Sequence, residues 1–419
     1  MSLRVVIIGA GIVGAATALE ALREGFRVTV LEPADPGGEQ AASYGNGCWL
    51  SPMSVIPPAV PGLWRKVPGF LMDPLGPLSI RPGYLPRVAP WLLRYLWAGW
   101  TETKVEAAAR ALRPLLFDAP ALHKRLAEEA GVGHLIERRG LIYTYENRAQ
   151  FEAEAMAWRI RRKVGVEWIE LDDNDLRQRE PDLDRRYTFG ALVEEGGHCR
   201  DPGGYVAALV AQAVAEGAEL RRTRATGFRI EGGRLRAVTT EMGEVQADRA
   251  VIAAGARSKA LAAAAGSRVP LETERGYHAM VVGAEAGPRT PMMPYDGKMS
   301  VTWTDRGLRC AGQVEIAGLD AVPNWRRADI LRDHLLRSFP KLGQVPAERV
   351  KVWMGHRPSM PDGLPCIGRA AASADVTLAF GHGHVGLVAG PRTARAVAAL
   401  LAGRAADIPL EPFRPSRFA

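Results

Sequence analysis

The chain has 419 residues, 47% apolar and 24% charged, a balance that fits a soluble globular protein too long for one simple core. Its formal charge is +8, but the basic residues are scattered, only 8 of 54 are lysine, and no nucleic-acid motif gathers them. Four cysteines, Cys48, Cys199, Cys310 and Cys366, stand far apart without CxxC spacing, which argues against a metal site or disulfide framework and suits a reducing compartment.

The opening RVVIIGAGIVGAATALEALREGFRVTVLEP reads as a β-α-β unit. Val5 to Ile8 are a continuous apolar run, as a parallel strand covered on both faces requires. Gly9, Gly11 and Gly14 follow at GxGxxG spacing. A helix carrying Ala18, Leu19 and Leu22 comes next, then a strand from Arg27 to Leu31 ending at Glu32. Gly9 turns the chain, Gly11 lets a pyrophosphate approach the backbone, and Gly14 packs the helix on the sheet. Around Ile12 and Val13 the helix N-terminus offers N–H groups to phosphate. Glu32, followed by Pro33, stands where a carboxylate accepts hydrogen bonds from an adenosine ribose, and an acid there disfavours NADP. The run from Val5 to Leu19 also looks like a leader core, but its regular glycines, Glu20, Glu24 and the lack of a cleavage site speak against export. No window reaches the ~18 apolar residues of a membrane span.

Gly83 to Trp100, GYLPRVAPWLLRYLWAGW, predicts an amphipathic helix. Its apolar stripe is expected to pack on the protein, the alternative being peripheral contact with a membrane. Ala218 to Gly255 reads as a strand, a hairpin around EGGR, and an apolar strand running into Ala253-Ala254-Gly255, a second close backbone approach to a cofactor. SVTWTDRGLRCAGQ reads as another hairpin, with Asp305-Arg306-Gly307 in the turn. In MGHRPSMPDGLPCIG, three prolines stiffen the chain around Arg357. A fixed guanidinium is a planar fork for carboxylate or phosphate, and the alternative is an internal pair with Asp362. The stretch VTLAFGHGHVGLVAGPRTARAVAALLAG predicts a strand, a glycine-rich loop and a helix whose N-terminus can face an electron-rich ring.

Taken together, GAGIVGAATALEAL, ASYGNGCWLSP, PLSIRPGYLPRVAPWLLRYL, RDPGGYVAALVAQAVAEGAEL, GYHAMV, VTWTDRGLRCAGQVEIAGLD, RPSMPDGLPCIG and GHGHVGLVAGP resemble the D-amino-acid oxidase superfamily of flavoproteins, most of all its bacterial D-amino-acid dehydrogenases. That resemblance implies an α/β fold in which a Rossmann-like FAD-binding domain (1–80, 199–266 and 353–419) interleaves with an α+β substrate domain (81–198 and 267–352) carrying an antiparallel sheet. It implies non-covalent FAD, with Ser43, Asn46 and Gly47 along the flavin and its phosphates and Gly381, His382, Gly383, His384, Val385 and Gly386 around the ring. Arg357 would pair with a substrate carboxylate. Tyr277, His278 and His384 would stand at the substrate, with Arg357, Tyr277 and His384 closest to the chemistry. Tyr277 and His278 have the alternative of a plain sheet surface, whereas His382 is expected to serve backbone structure.

The implied reaction is oxidative deamination of a D-amino acid, hydride passing from Cα to flavin N5, with quinone or another acceptor taking the electrons. Alternatives are a cyclic or secondary amine substrate (D-proline, a hydroxyproline isomer, sarcosine or glycine), a flavin subunit of a heteromeric oxidase, and a nicotinamide dehydrogenase. The expected location is cytoplasmic, with peripheral contact on the inner membrane face as an option. Oligomeric state is left open.

Overall fold

The computed structural model describes residues 2–67, 69, 75–76 and 78–418. Positions 1, 68, 70–74, 77 and 419, expected to lie in the FAD-binding domain, are outside the described residues. The chain opens with β1 (Arg4–Ile8), α1 (Ile12–Arg23) and β2 (Arg27–Leu31), then runs through α2 (Leu85–Ala98), α3 (Pro202–Ala215), β3 (Glu219–Arg221) and β4 (Arg249–Ile252). There follow β5 (Glu272–Val281), β6 (Ser300–Thr304), β7 (Gly307–Ile316), α4 (Arg326–Ser338) and β8 (Val350–Ser359). The chain returns through β9 (Cys366–Arg369) and β10 (Val376–Phe380) to α5 (Gly386–Leu401).

One six-stranded sheet has the order β3-β2-β1-β4-β10-β9, parallel except for its last pair. In β1, Val5 and Ile7 share a core with α1, α3 and α5. Val6 and Ile8 pack into a second core on the other face, with a three-stranded meander. Burial on both faces is why the run is apolar without alternation. Gly9 has φ +102°, and a Cβ there would lie 2.6 Å from Ala253 O, while one at Gly14 would lie 1.9 Å from Gly9 O. The tight turn needs both glycines.

The second sheet has nine strands and is antiparallel through its centre, β8-β5-β7-β6. It is mixed rather than antiparallel throughout. Met292–Pro294 runs parallel to Leu141–Tyr145, and Leu78–Ile80 runs parallel to β7. Those pairs are joined by long crossovers, which permit parallel pairing where a hairpin does not.

Strand pairing and packing bear on the expected domain limits in three places. Position 353 falls inside β8, which pairs with β5 from Glu272↔Ser359 to Val281↔Val350 and so belongs to the large sheet. Position 199 falls inside strand Gly197–Cys199, which pairs with both Trp49–Leu50 and Ile136–Glu137. Helices Glu102–Leu116 and Ala119–Glu129, expected in the substrate domain, bury Val105, Leu112 and Leu126 in the core that holds Val5, Leu19 and Val397. Their apolar stripes share that core with α5. Among the described residues no helix is long and apolar enough to cross a membrane.

Candidate active site

At the end of β1 the backbone is bare. A Cβ on Gly11 would meet only Ser43 Oγ, 3.6 Å away, and one on Gly255 (φ +55°) would meet nothing within 4 Å. Helix α1 starts at Gly11 with no cap from its own side chain and no acid in its first turn, so its dipole is available to an anion. Ile12 and Val13 bury their side chains and offer backbone alone. Glu32 braces the turn: its carboxylate accepts from Ala10 N–H (2.9 Å) and Ala34 N–H (3.3 Å), with Pro33 exposed beside it. Ser43 Oγ accepts from Ile12 N–H at 3.2 Å, tying the loop after β2 to the same helix start.

That loop is fastened to the large sheet. Asn46 spends its amide locally, donating to Ser43 O (2.8 Å) and accepting from Cys48 N–H (2.7 Å). Arg309 Nη1 donates to Tyr44 O (3.1 Å) and Asn46 O (3.2 Å). A Cβ on Gly45 would lie 2.2 Å from the Trp353 ring, and one on Gly47 would lie 2.4 Å from Ser300 Oγ. Both glycines are therefore contact points between the domains.

Arg357 lies on β8 directly across from Glu274 on β5. Its Nη1 donates to Gln313 O (2.9 Å) and its Nη2 to Gly312 O (3.4 Å). Gln313 sits at φ +60° beside a register shift between β5 and β7, and that bulge turns its carbonyl toward the fork. The guanidinium lies over Gly276, where a Cβ would come within 2.4 Å of Cζ. No carboxylate pairs with it among the described residues. Asp362 is held by Arg417 (2.7 and 3.2 Å), so the internal Arg357–Asp362 pair is not formed. Burial pulls the Arg357 guanidinium down from its ordinary range, and Glu274 opposes the shift.

Glu274 and His384 line one small cavity with Tyr95, Ser359, Met360, Gly381 and Gly383. Burial holds the Glu274 carboxyl above the usual carboxylate range, against the pull of Arg357. His384 is exposed to the cavity yet surrounded by protein, which pulls its pKa down to about 4, with the Arg357 charge adding to the effect. It is neutral at neutral pH.

The model of the family described as "FAD dependent oxidoreductase" (DAO) matches residues 4–400. The chain belongs to this FAD-dependent oxidoreductase family. A D-amino-acid oxidase of Bradyrhizobium diazoefficiens is 62% identical over 99% of this chain and 98% of its own. A D-amino acid dehydrogenase of Paramagnetospirillum magneticum is 30% identical over 99% of each chain. Among solved structures, L-proline dehydrogenase from P. horikoshii (TM-score 0.75, 20% identity, 100% and 98% covered) and glycine oxidase from Geobacillus kaustophilus (0.73, 22%, 99% of each) share the fold.

The cofactor of this FAD-dependent oxidoreductase fits the cradle on geometric grounds. Gly11 and Gly255 leave bare backbone against open space beside an uncapped helix start, whereas Gly9 and Gly14 are fixed by packing. On the other side, Gly381 (φ +84°) and Gly383 (φ +54°) precede α5, which also begins without a side-chain cap or an acid in its first turn.

Two expected side-chain roles in the oxidoreductase, those of Tyr277 and His278, are displaced. Along β5 successive residues alternate faces. Glu274, Gly276 and His278 share the Arg357 face, and Tyr277 points the other way, into the core under α4. Tyr277 Oη donates to Glu315 (2.6 Å) and accepts from Asn324 N–H (3.1 Å), so its hydroxyl is spent on partners other than the fork. Burial and Glu315 push it up to about 12. His278 holds the loop instead: its Nδ1 lies 2.9 Å from Gly45 O, and its ring stacks on Trp353 at 5.3 Å. His382 is buried, with Nε2 3.0 Å from Thr393 Oγ1 on α5. Its side chain ties the loop to α5, leaving only its main chain to the loop's open side. Glu274, Arg309, Gln313 and Trp353 escaped the sequence reading. Glu274 had one available signal, its position two residues before Gly276 on the same strand face.

Proposed function

We propose that this enzyme oxidises D-amino acids to 2-oxo acid and ammonia by way of an imine. The observation that carries the reading is the Arg357 fork, fixed by two backbone carbonyls, backed by glycine and without a carboxylate partner among the described residues. A substrate α-carboxylate accepts parallel N–H bonds from such a fork, which sets orientation as well as affinity. When bound, FAD supplies the acceptor for the hydride leaving Cα. The backbone of Gly9, Gly11, Ile12, Val13 and Gly14 and the Glu32 carboxylate would hold its nucleotide end, with Pro33 at the rim. The segments Ser43–Gly47, Ala254–Gly255 and Gly381–Gly386 would enclose its ring. His384 would stand neutral at the substrate. All four cysteines are buried, which favours a flavin held without a covalent link.

The test is Arg357→Ala and Arg357→Lys, assayed with a dye acceptor on D- and L-amino acids and cyclic secondary amines. Arg357→Ala is expected to lower kcat/KM by ~100-fold or more, with the lysine variant partly restored. Wild-type preference for a cyclic or N-methyl amine would replace the substrate, and unchanged efficiency in the alanine variant would remove the role of Arg357.

For the electron acceptor, the surface favours peripheral membrane contact and hence a quinone. One face of α2 buries Val88, Trp91 and Tyr95, as core packing predicts. Its other side leaves Leu93 and Trp97 69% and 65% exposed, next to Trp100 and Trp64, which stack on each other at 6.3 Å. Lys104 lies 3.4 Å over the Trp97 ring, and Arg65 lies over Trp64. Exposed tryptophans ringed by cations match an anionic interface. Sedimentation with anionic vesicles is expected to carry down the wild type and leave a Trp97→Ser/Trp100→Ser variant in solution. Equal recovery of the two in the supernatant would contradict this.

A further inference from the structure

Glu274 and Arg357 are directly opposed in the β5–β8 register, and Glu274 is 6% exposed. Side chains of such a pair share a face, with Cβ atoms ~5 Å apart. Yet the guanidinium turns to the carbonyls of Gly312 and Gln313 rather than closing on the carboxylate. A cation and an anion thus stand side by side on one sheet face without closing into an ion pair. A zwitterionic amino acid has the same arrangement in reverse, both charges on one carbon. With its carboxylate on Arg357, its ammonium falls toward the neighbouring anion.

We infer that Glu274 receives the substrate ammonium and takes one of its protons, leaving the neutral amine from which the Cα hydride departs. This rests on the D-amino-acid reading above. In the step an N–H bond breaks and an O–H bond forms on Glu274, and the electron pair stays on nitrogen as its lone pair. No oxidant is consumed, and the proton passes to solvent as product leaves.

The charged and titratable groups facing Glu274 are Glu272 on its own strand, Arg357 on β8, Tyr95 on α2 and His384 on the loop before α5, with Ser359 beside the carboxylate. Burial first, and Glu272 in addition, raise its pKa against Arg357, which makes it a better base near neutrality than an ordinary carboxylate. Tyr84 donates to both oxygens of Glu272 (3.1 and 3.2 Å), which occupies that second acid elsewhere.

The experiment compares holoenzyme with Glu274→Gln, reading the pH profile of kcat/KM for a D-amino acid and the binding of benzoate, a carboxylate without an ammonium. The variant is expected to lose ~100-fold in kcat/KM at pH 7, and to recover about tenfold per pH unit toward the pKa of the free amine. Benzoate binding should hold or tighten, because only the anion beside Arg357 has gone. A Glu274→Gln enzyme with the wild-type profile and a rate within ~2-fold would overturn the inference. Should that variant not fold, Glu274→Asp must keep the wild-type profile shape at a reduced rate, and an unreduced rate would overturn it equally. Wild-type enzyme inert to every D-amino acid sinks the parent reading and this one together, whereas normal wild-type turnover beside an unaltered variant sinks this one alone.

Discussion

Gly276 has no side chain because the Arg357 fork occupies the space where one would be. Its φ is not left-handed, so an alanine there costs no backbone strain and acts through contact alone. Gly276→Ala is expected to push the guanidinium off its two carbonyls and raise KM for an amino acid by ~10-fold, with the protein still folded. An unchanged KM would show that the fork's position is not set there. Tyr277→Phe should behave oppositely. It leaves Glu315 to Arg81 (2.8 Å) and Arg275 (3.5 Å) and is expected to lower stability by about 1–2 kcal/mol with kcat/KM within ~2-fold. A large loss of kcat/KM at unchanged stability would return Tyr277 to the substrate. The set shape of the segment around Arg357 was legible because prolines and glycine stand beside it in the sequence itself. Tyr277 was misread because strand parity, not proximity in the chain, decides which face it takes. Its partners Glu315 and Asn324 lie 38 and 47 residues downstream, where no local pattern points to them.

The β1-α1-β2 unit was readable almost to the residue, strand Arg27–Leu31 included, since apolar runs, glycine spacing and a terminal acid are local signals. The edges of the large sheet were not. β8 is exposed along part of its length, and only its pairing with β5, about 80 residues earlier, assigns it to that sheet. The helices between 102 and 129 likewise show an apolar stripe without showing which core receives it. What fixes the elements together is close approach. Gly390 lets α5 settle on α1, where a Cβ would lie 2.7 Å from Ile12 Cγ1. Gly390→Ala is expected to destabilise the fold by about 1–3 kcal/mol, read as a lowered Tm. An unaltered Tm would mean that the two helices can part without cost.

Several histidines that tie elements of the fold together are buried and neutral. His123 joins three helices: its Nε2–H donates to Leu387 O (2.8 Å) on α5, and its Nδ1 lies 3.0 Å from the Tyr205 hydroxyl on α3. Burial pulls His123 and His382 down to about 4 and His278 to about 3. The unfolded chain takes up these protons below pH ~6.5, while the folded chain resists until near 4, so stability falls as pH drops through that window. The Tm is expected to decline from pH 6.5 toward 4, with each such histidine costing on the order of 1–3 kcal/mol. A flat Tm across that range would mean that these imidazoles charge readily in the folded protein.

Substrate placement by the Arg357 fork is tested most directly by anaerobic titration of the flavin-loaded enzyme, following bleaching at about 450 nm. The wild type should bleach with D-amino acids and not with their L-enantiomers. Arg357→Ala should keep its oxidised flavin spectrum and need ~100-fold more substrate to bleach. Bleaching of the variant at wild-type substrate concentrations, or of the wild type by L-enantiomers alone, would contradict the account.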